Sequence, residues 1–216
     1  MVGSEFPCNQ SLLLEGPAGP LEAVTLCPAV HPQRASAVIL HPHPLHGGTL
    51  HNKVVTTLAR EFAELGIASV RFNFRGVGQS GGSFAHTEGE TDDALAVIEW
   101  LRAQCPRDDV WLAGFSFGAL VALRAAVPGR VAGLVTVAPA VPLYDLSGVE
   151  LPACPWLLVM GEADEVVPAG AVRDWMAQQP RQPESVFLPG VGHFFHQRLH
   201  ELRAAVREFV PQYLPQ

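Results

Sequence analysis

A serine flanked by two glycines is the residue of this sequence best suited to act as a nucleophile. The stretch Gly114-Phe115-Ser116-Phe117-Gly118 directly follows the apolar run at residues 110–113. When a buried strand turns sharply into a helix, the turn lifts the serine hydroxyl clear of the sheet, and glycines two residues to either side avoid Cβ clashes. The spacing therefore predicts a nucleophile elbow with Ser116 at its tip.

A serine hydroxyl needs a base to take its proton and an acid to orient that base. Asp164 follows a predicted strand at residues 156–160, and His193 follows the next predicted strand at residues 184–188. Imidazole titrates near neutral pH and can accept the serine proton, while a carboxylate holds the ring and stabilises its charged form. We therefore predict Ser116 as nucleophile, His193 as general base and acid, and Asp164 as the orienting acid.

Two neighbouring residues compete for these roles. Glu162 could be the acid while Asp164 caps the following helix, although the Gly-x-x-Asp spacing after the strand favours Asp164. His196 competes with His193, but only His193 directly follows the glycine loop at residues 190–192. We expect His196 to begin the last helix instead.

Short apolar runs alternate with helical periodicity along the sequence, and this alternation must position the three residues. Strands alternating with helices imply an α/β fold with a mostly parallel central sheet flanked by helices, whose functional groups gather at the carboxyl ends of the strands. We expect one domain over residues 1–216. The predicted strands are residues 10–14 and 21–27, which form an antiparallel pair, followed by 37–40, 67–74, 110–113, 131–138, 156–160 and 184–188. The predicted helices are residues 54–65, 119–126, 169–179 and 199–209, with another that starts at the acidic residues 91–93.

The composition excludes several classes of partner. Hydrophobic residues make up 48% of the chain and charged residues 16%, which is typical of strands buried on both faces. The net charge of −7 provides no basic surface for nucleic acid or anionic lipid. Residues 1–5 lack a signal-peptide pattern and no apolar run is long enough for a bilayer, so we expect a cytoplasmic protein without nucleic-acid or membrane partners.

The cysteines give no sign of a metal or redox site. The four of them show no Cys-x-x-Cys pair and no short spacing shared with histidine, so we expect a reduced chain without zinc. They are Cys8, Cys27, Cys105 and Cys154.

Two further motifs complete a resemblance to a known family. Residues 41–48, His-Pro-His-Pro-Leu-His-Gly-Gly, resemble the loop after the third strand of α/β-hydrolase fold serine hydrolases, and residues 73–80, Asn-Phe-Arg-Gly-Val-Gly-Gln-Ser, resemble the Asp-x-Arg-Gly-x-Gly-x-Ser turn of that family. With the elbow and the later acid and histidine, the resemblance runs from residue 37 to the C-terminus. It is strongest to small capless hydrolases that carry both motifs. Asn73 replaces the usual acid of the turn, and Pro42 replaces the glycine that usually follows the first histidine.

The resemblance implies an oxyanion hole, a pair of N–H groups that stabilise negative charge on the substrate oxygen. One donor would be the backbone N–H of Phe117, the residue after the nucleophile. The other would come from the loop after residue 40, where Pro42 and Pro44 have no N–H to give. We favour His43 for this second donor, with Leu45 as the alternative.

Two other interpretations of these motifs are weaker. The histidines at positions 41, 43, 46 and 51 suggest a zinc site, but no cysteine or carboxylate lies near them in sequence and prolines interrupt their spacing. Residues 76–81 satisfy Gly-x-Gly-x-x-Gly, yet the chain continues there as a loop and no acid-ended strand follows about 20 residues later. We therefore expect no metal, no dinucleotide and no other cofactor.

The family often inserts a cap after the strand predicted at residues 131–138. Here only residues 139–154 precede the next strand, which is too short for a helical lid, so we expect an open site that suits short acyl groups or an exposed ester on a larger molecule. The apolar residues expected to line it are Leu45, Phe84, Phe115, Phe117, Val141, Leu143 and Phe194.

Together these residues predict a serine hydrolase that cleaves carboxylic esters of small molecules through an acyl-enzyme. A thioesterase or a peptidase is the alternative, because thioesters and amides pass through the same kind of tetrahedral intermediate. A noncatalytic binding or scaffolding member of the fold is a third interpretation. The intact set of serine, acid and histidine argues against it.

Overall fold

The computed structural model describes residues 6–29, 32–127, 129–146 and 148–215. One eight-stranded sheet runs through it in the order β1-β2-β4-β3-β5-β6-β7-β8. The pairs β1/β2 and β2/β4 are antiparallel and the remaining pairs are parallel. The strands are β1 (Ser11–Leu14), β2 (Leu21–Leu26), β3 (Ala35–Leu40), β4 (Ala68–Phe72), β5 (Asp109–Phe115), β6 (Gly133–Val137), β7 (Trp156–Gly161) and β8 (Glu184–Leu188).

Helices connect the parallel strands and cover the sheet. They are α1 (Lys53–Glu64), α2 (Glu88–Gln104), α3 (Phe117–Ala125), α4 (Ala169–Ala177) and α5 (Leu199–Phe209), with short 3-10 turns at Pro44–His46, Val141–Leu143 and Val210–Tyr213. Helix α1 packs against α5, and α2 packs against α3. Each helix described is too short or too polar to cross a bilayer. The predicted α/β fold with a mostly parallel sheet is confirmed.

The central strands are apolar because both of their faces are covered. Every residue of β3, β6 and β7 is buried, as are all residues of β5 after Asp109. Continuous runs of Val, Leu, Ile and Ala suit this position, where alternation with polar residues would bury groups without partners. These four strands form a rigid platform whose carboxyl ends carry the loops of the site.

The connection after β6 contains no lid. Within residues 138–146 and 148–155 the only regular element is the 3-10 turn Val141–Leu143. The prediction of a fold without a substantial cap is therefore confirmed.

Helix α2 begins earlier than its acidic residues suggested. It starts at Glu88, where Thr87 and Glu90 form a capping box, and the Thr87 N–H donates to Glu90 Oε2 at 2.9 Å. The predicted start at residues 91–93 is wrong by one turn. The Thr-x-x-Glu pattern of residues 87–90 was the available signal.

The expectation of a fully reduced chain is also wrong. Cys8 and Cys27 form a disulfide across 19 residues, while Cys105 and Cys154 are free. The register of the β1/β2 pair, with Ser11 opposite Val24, continues to place position 8 opposite position 27. Residues 1–5, on which the expectation of no signal peptide rested, lie outside the described residues.

We expect this disulfide to stabilise the protein. Closing a loop of this length removes conformational freedom from the unfolded chain, a contribution of about 3 kcal/mol. Replacing both Cys8 and Cys27 with Ser should lower the free energy of unfolding in urea by about that amount. The denatured, unreduced wild type should show two free thiols, from Cys105 and Cys154. If all four cysteines react, the disulfide does not form in solution.

Candidate active site

Ser116 lies at the sharp turn between β5 and α3. Its backbone has φ 56° and ψ −115°, a conformation that residues with a side chain rarely adopt. A Cβ at Gly114 would overlap the backbone of Gly118, and a Cβ at Gly118 would overlap the carbonyl oxygens of Leu40 and His41. The turn thus tolerates only glycine at these two positions, which is why the sequence carries glycine on both sides of the serine.

A hydrogen-bonded chain joins the three residues predicted to act together. Ser116 Oγ lies 3.1 Å from His193 Nε2, and His193 Nδ1 lies 2.7 Å from Asp164 Oδ2. The other Asp164 oxygen, Oδ1, accepts the N–H groups of Val166 at 2.9 Å and Val167 at 2.7 Å. These bonds fix the carboxylate and leave Oδ2 for the imidazole.

The three hydrogen-bonded side chains are shielded from water, except at the serine hydroxyl. The side chains of His193 and Asp164 are 3% and 0% exposed, while Ser116 as a residue is 7% exposed. Burial strengthens the carboxylate–imidazole interaction because little solvent screens it. This geometry can transfer a proton from the serine hydroxyl to the imidazole.

The competing residues are engaged elsewhere. Glu162 forms an exposed ion pair with Arg173. His196 Nδ1 lies 2.7 Å from Lys53 Nζ. Helix α5 starts at Leu199, so His196 does not begin it. The structure therefore brings Ser116 together with Asp164 and His193. Glu162 and His196 take no part in these hydrogen bonds.

Sequence reasoning missed Glu165. Its Oε2 accepts the backbone N–H of His193 at 3.1 Å and lies against Gly192. This contact holds the loop that carries the imidazole, so Glu165 is a positioning residue. No local pattern could reveal the role, because the contact joins residues 28 positions apart.

The residues that carry the two predicted oxyanion donors lie close together. The elbow packs directly on the end of β3, and the rings of His43 and Phe117 are 5.0 Å apart. Among the described residues, no backbone acceptor takes the N–H of His43 or of Phe117. The N–H of Leu45, in contrast, donates to His43 Nδ1 at 3.2 Å. Hydrogen bonding therefore favours His43 over Leu45 as the second donor.

His41 anchors this loop from within the core. It is fully buried; its Nε2 accepts the N–H of Phe74 at 3.0 Å and its Nδ1 lies 2.6 Å from the Pro42 carbonyl oxygen. Burial lowers the pKa of His41 to about 4, because desolvation disfavours the charged ring. The remaining loop histidines do not converge on a metal: within the described ranges, no group of three His, Cys, Asp or Glu side chains could hold one.

The turn at residues 73–80 is fixed by buried polar contacts. Asn73 accepts the Leu50 N–H at 2.8 Å and donates from Nδ2 to Glu22 at 2.8 Å. An aspartate could not make the second bond, which accounts for asparagine where the resembled family has an acid. Arg75 forms a bidentate pair with the buried Asp93, at 3.0 and 2.7 Å.

The residues predicted to line the pocket fall into two groups. Phe115, Phe117 and Val141 are buried, so they support the site from beneath. The others reach its surface. Leu45 and Leu143 are 68% and 56% exposed, Phe194 is 39% exposed and Phe84 is half-buried. A cavity of about 600 Å³ lies between the end of β2 and helices α1 and α5, and none of the predicted pocket residues lines it.

Comparison with known proteins relates this chain to serine hydrolases. A family model described as X-Pro dipeptidyl-peptidase (S15 family) matches residues 20–153, which include Ser116 but neither Asp164 nor His193. An uncharacterized protein of Rickettsia prowazekii is 30% identical over 92% of this chain and 87% of its own length.

Two solved structures are similar over nearly the whole chain. XC6422 from Xanthomonas campestris, a member of the α/β serine hydrolases without a lid, is 48% identical with a TM-score of 0.94 and covers 98% of both chains. An α/β serine hydrolase homologue from Coxiella burnetii is 44% identical with a TM-score of 0.90 and covers 96% of this chain and 100% of its own. The description of XC6422 as lidless agrees with the sheet described above.

We predict that replacing Asp164 with Asn slows the reaction of Ser116 with a fluorophosphonate about 10³- to 10⁴-fold. Because Oδ1 is held by backbone N–H groups, the new amide would direct a donor at His193 Nδ1 and favour the wrong tautomer. Glu162→Gln, which only breaks an exposed ion pair, should change the rate less than about twofold. A larger loss in Glu162→Gln than in Asp164→Asn would assign the acid to Glu162.

We also predict a pH-dependent stability contribution from His41. Below about pH 6.5 the unfolded chain takes up a proton on this side chain that the folded protein does not, so stability is lost as the pH falls from about 6.5 toward about 4. The cost by about pH 5 is about 2 kcal/mol. Urea unfolding of wild type and His41→Gln at about pH 7.5 and about pH 5 measures it. The variant should lose less stability than wild type on acidification, and equal losses would show that His41 does not contribute.

Proposed function

We propose that this chain, which belongs to the X-Pro dipeptidyl-peptidase (S15) family, cleaves carboxylic esters through an acyl-enzyme on Ser116. In broader terms the chain is a hydrolase of the α/β serine hydrolase fold. The observation that carries the proposal is the hydrogen-bonded chain from Ser116 Oγ through His193 to Asp164 at the open edge of the sheet.

The first half-reaction transfers the acyl group to the enzyme. Ser116 Oγ attacks the ester carbonyl carbon while His193 Nε2 takes its proton. The carbonyl oxygen becomes an oxyanion, which the N–H groups of Phe117 and His43 stabilise. The C–O bond to the alcohol then breaks, and the alcohol leaves with the proton held by His193.

The second half-reaction restores the serine. A water molecule attacks the acyl-enzyme carbonyl and gives a proton to His193 Nε2. Collapse of the tetrahedral intermediate breaks the bond to Ser116 Oγ, which recovers its proton from the imidazole. The carboxylic acid is released, and no cofactor takes part in either step.

The charges around the site favour an ester over an X-Pro peptide. Removal of an amino-terminal dipeptide requires a carboxylate to bind the free ammonium group of the substrate. Three carboxylates near the site already have partners within the protein. Asp164 and Glu90 accept hydrogen bonds on both oxygens, and Glu165 Oε2 accepts the His193 N–H.

A peptidase or amidase is the second candidate, and the family model favours it. The same serine, histidine and oxyanion donors can attack an amide carbonyl, and a thioester can react in the same way. The two candidates differ in the leaving group, because an amine leaves only after it is protonated by His193.

The open edge of the sheet supports short acyl groups or an ester exposed on a larger molecule. No helical cap covers the loops after β6 in the described ranges. A small-molecule ester as substrate and a cytoplasmic location complete the proposal, and both rest on the sequence. The Cys8–Cys27 disulfide counts against that location, because disulfides persist mainly in oxidising compartments.

We predict that the protein hydrolyses p-nitrophenyl acetate in the presence of a chelator and that Ser116→Ala lowers kcat at least about 10³-fold, because the nucleophile is lost. Ser83→Ala, which changes an exposed loop serine, is the matched control and should keep wild-type turnover. Glycyl-prolyl p-nitroanilide should react far more slowly than the ester when both are measured by release of the coloured leaving group.

Three outcomes would contradict this function. Faster turnover of the glycyl-prolyl amide than of the ester would assign a peptidase. Full ester turnover by Ser116→Ala would remove Ser116 as nucleophile, and inactivation by the chelator that zinc reverses would establish a metal-dependent reaction.

A further inference from the structure

Aromatic rings gather on one side of the nucleophile. Three partly exposed rings, those of His43, Phe84 and Tyr144, surround the buried ring of Phe117, and we call these three the aromatic wall. Their ring centroids lie 5.0, 5.8 and 5.8 Å from that of Phe117. Because Phe117 directly follows Ser116, the wall lies next to the turn that carries the nucleophile.

The wall is fixed before any substrate arrives. Phe117 is 1% exposed and packs edge-on against Phe74 in the core. His43 is oriented by the Leu45 N–H and contacts Phe84 at 4.9 Å. The segment after Phe84 is held by Glu90, which accepts the N–H groups of Ala85 and Thr87, both at 2.9 Å. A rigid surface loses little conformational entropy when it binds a ligand.

The wall is uncharged near neutral pH. Burial and the neighbouring His46 lower the pKa of His43, so its ring is neutral there. Burial, assisted by Glu90, raises the pKa of the Tyr144 phenol, which stays protonated. Such a surface suits a neutral aromatic group, which packs in edge-to-face or offset contacts with centroids 4.5–7 Å apart.

The topology separates two rings of the wall, those of His43 and Phe84, from the leaving-group side, whereas Tyr144 lies in the loop after β6. Ser116 follows β5; the loops after β3 and β4 carry His43 and Phe84 on one side, whereas His193 comes from the loop after β8 on the other. The leaving oxygen must take a proton from His193 Nε2, so the alcohol lies on the His193 side. The acyl group is left to face the His43 and Phe84 rings of the wall.

We propose that the aromatic wall binds a ring in the acyl group, so that the preferred substrates are esters of aryl-substituted carboxylic acids. This inference rests on the proposed esterase function and specifies its substrate class. Phe84 is the residue on which selectivity depends most, because its ring contacts both His43 and Phe117 and is held by a braced loop.

Two esters of equal size separate aromatic packing from simple burial of apolar surface. Ethyl phenylacetate and ethyl cyclohexylacetate differ only in the character of the ring, and ethyl acetate serves as the reference. After correction for their hydroxide-catalysed rates, kcat/KM for the phenyl ester should exceed that for the cyclohexyl ester about three- to tenfold. In Phe84→Leu, which keeps apolar volume, this ratio should fall toward one.

Tyr213→Leu provides the matched control. Tyr213 is 42% exposed and contacts Phe209 in the C-terminal segment. Loss of this ring should leave both the ratio and the turnover of ethyl acetate unchanged. Inhibition by benzylboronic acid and cyclohexylmethylboronic acid gives a second measurement on the wild type, since both can bond to Ser116 Oγ, and the benzyl compound should bind about three- to tenfold more tightly.

The results distinguish failure of the proposed aromatic selectivity from failure of the proposed esterase function. If all three esters are hydrolysed but the phenyl-to-cyclohexyl ratio of kcat/KM is near one, the aromatic wall does not select the acyl group, although the esterase function is supported. An unchanged ratio in folded Phe84→Leu would have the same meaning. Turnover of none of the esters would overturn the proposed function. The relative affinity of the two boronic acids would then show by itself whether the wall prefers an aromatic ring.

Discussion

The close approach of the Ser116 turn to the end of β3 is the constraint on which the site depends. Backbone meets backbone there, with Gly118 against the carbonyl oxygens of Leu40 and His41. The contact holds Ser116 at positive φ, a strain of about 1–3 kcal/mol that persists only where the surroundings fix it. The buried strands β3 and β5 and the small-residue helix α3 supply that fixation. The same approach brings His43 and Phe117, the residues proposed to supply the oxyanion donors, into ring contact at 5.0 Å.

From this contact a set of buried polar groups extends to the neighbouring loops. His41 ties the β3 loop to Phe74, and Arg75 with Asp93 ties the β4 loop to α2. Asp164 and Glu165 fix the two sides of the His193 loop. Each loop is therefore held by hydrogen bonds within the protein, so that the reacting groups need little rearrangement when a substrate binds. The aromatic wall has the same origin, since Glu90 holds the segment that carries Phe84.

Much of this arrangement could be predicted from the sequence, for physical reasons that differ between residues. Continuous apolar runs bounded by glycine located the central strands, and chain order at one sheet edge selected Ser116, Asp164 and His193. Glu165 and the bracing of His41 by Phe74 could not be predicted, because each depends on which loops meet in space. The start of α2 was missed although the Thr-x-x-Glu pattern pointed to it, whereas the Cys8–Cys27 disulfide depends on the register of the β1/β2 pair, which the sequence alone does not show. The presence of asparagine at position 73 is explained only by its hydrogen bond to Glu22, which lies 51 residues away in the sequence.

Trapping the acyl-enzyme tests the central claim most directly. The protein is mixed with p-nitrophenyl acetate, quenched in acid during turnover, digested and analysed by mass spectrometry. We predict an acetyl group on Ser116 that disappears when the ester is consumed, and its absence from Ser116→Ala. Turnover without an acylated Ser116, or a transient acetyl group on another residue, would contradict the assignment of Ser116 as the nucleophile.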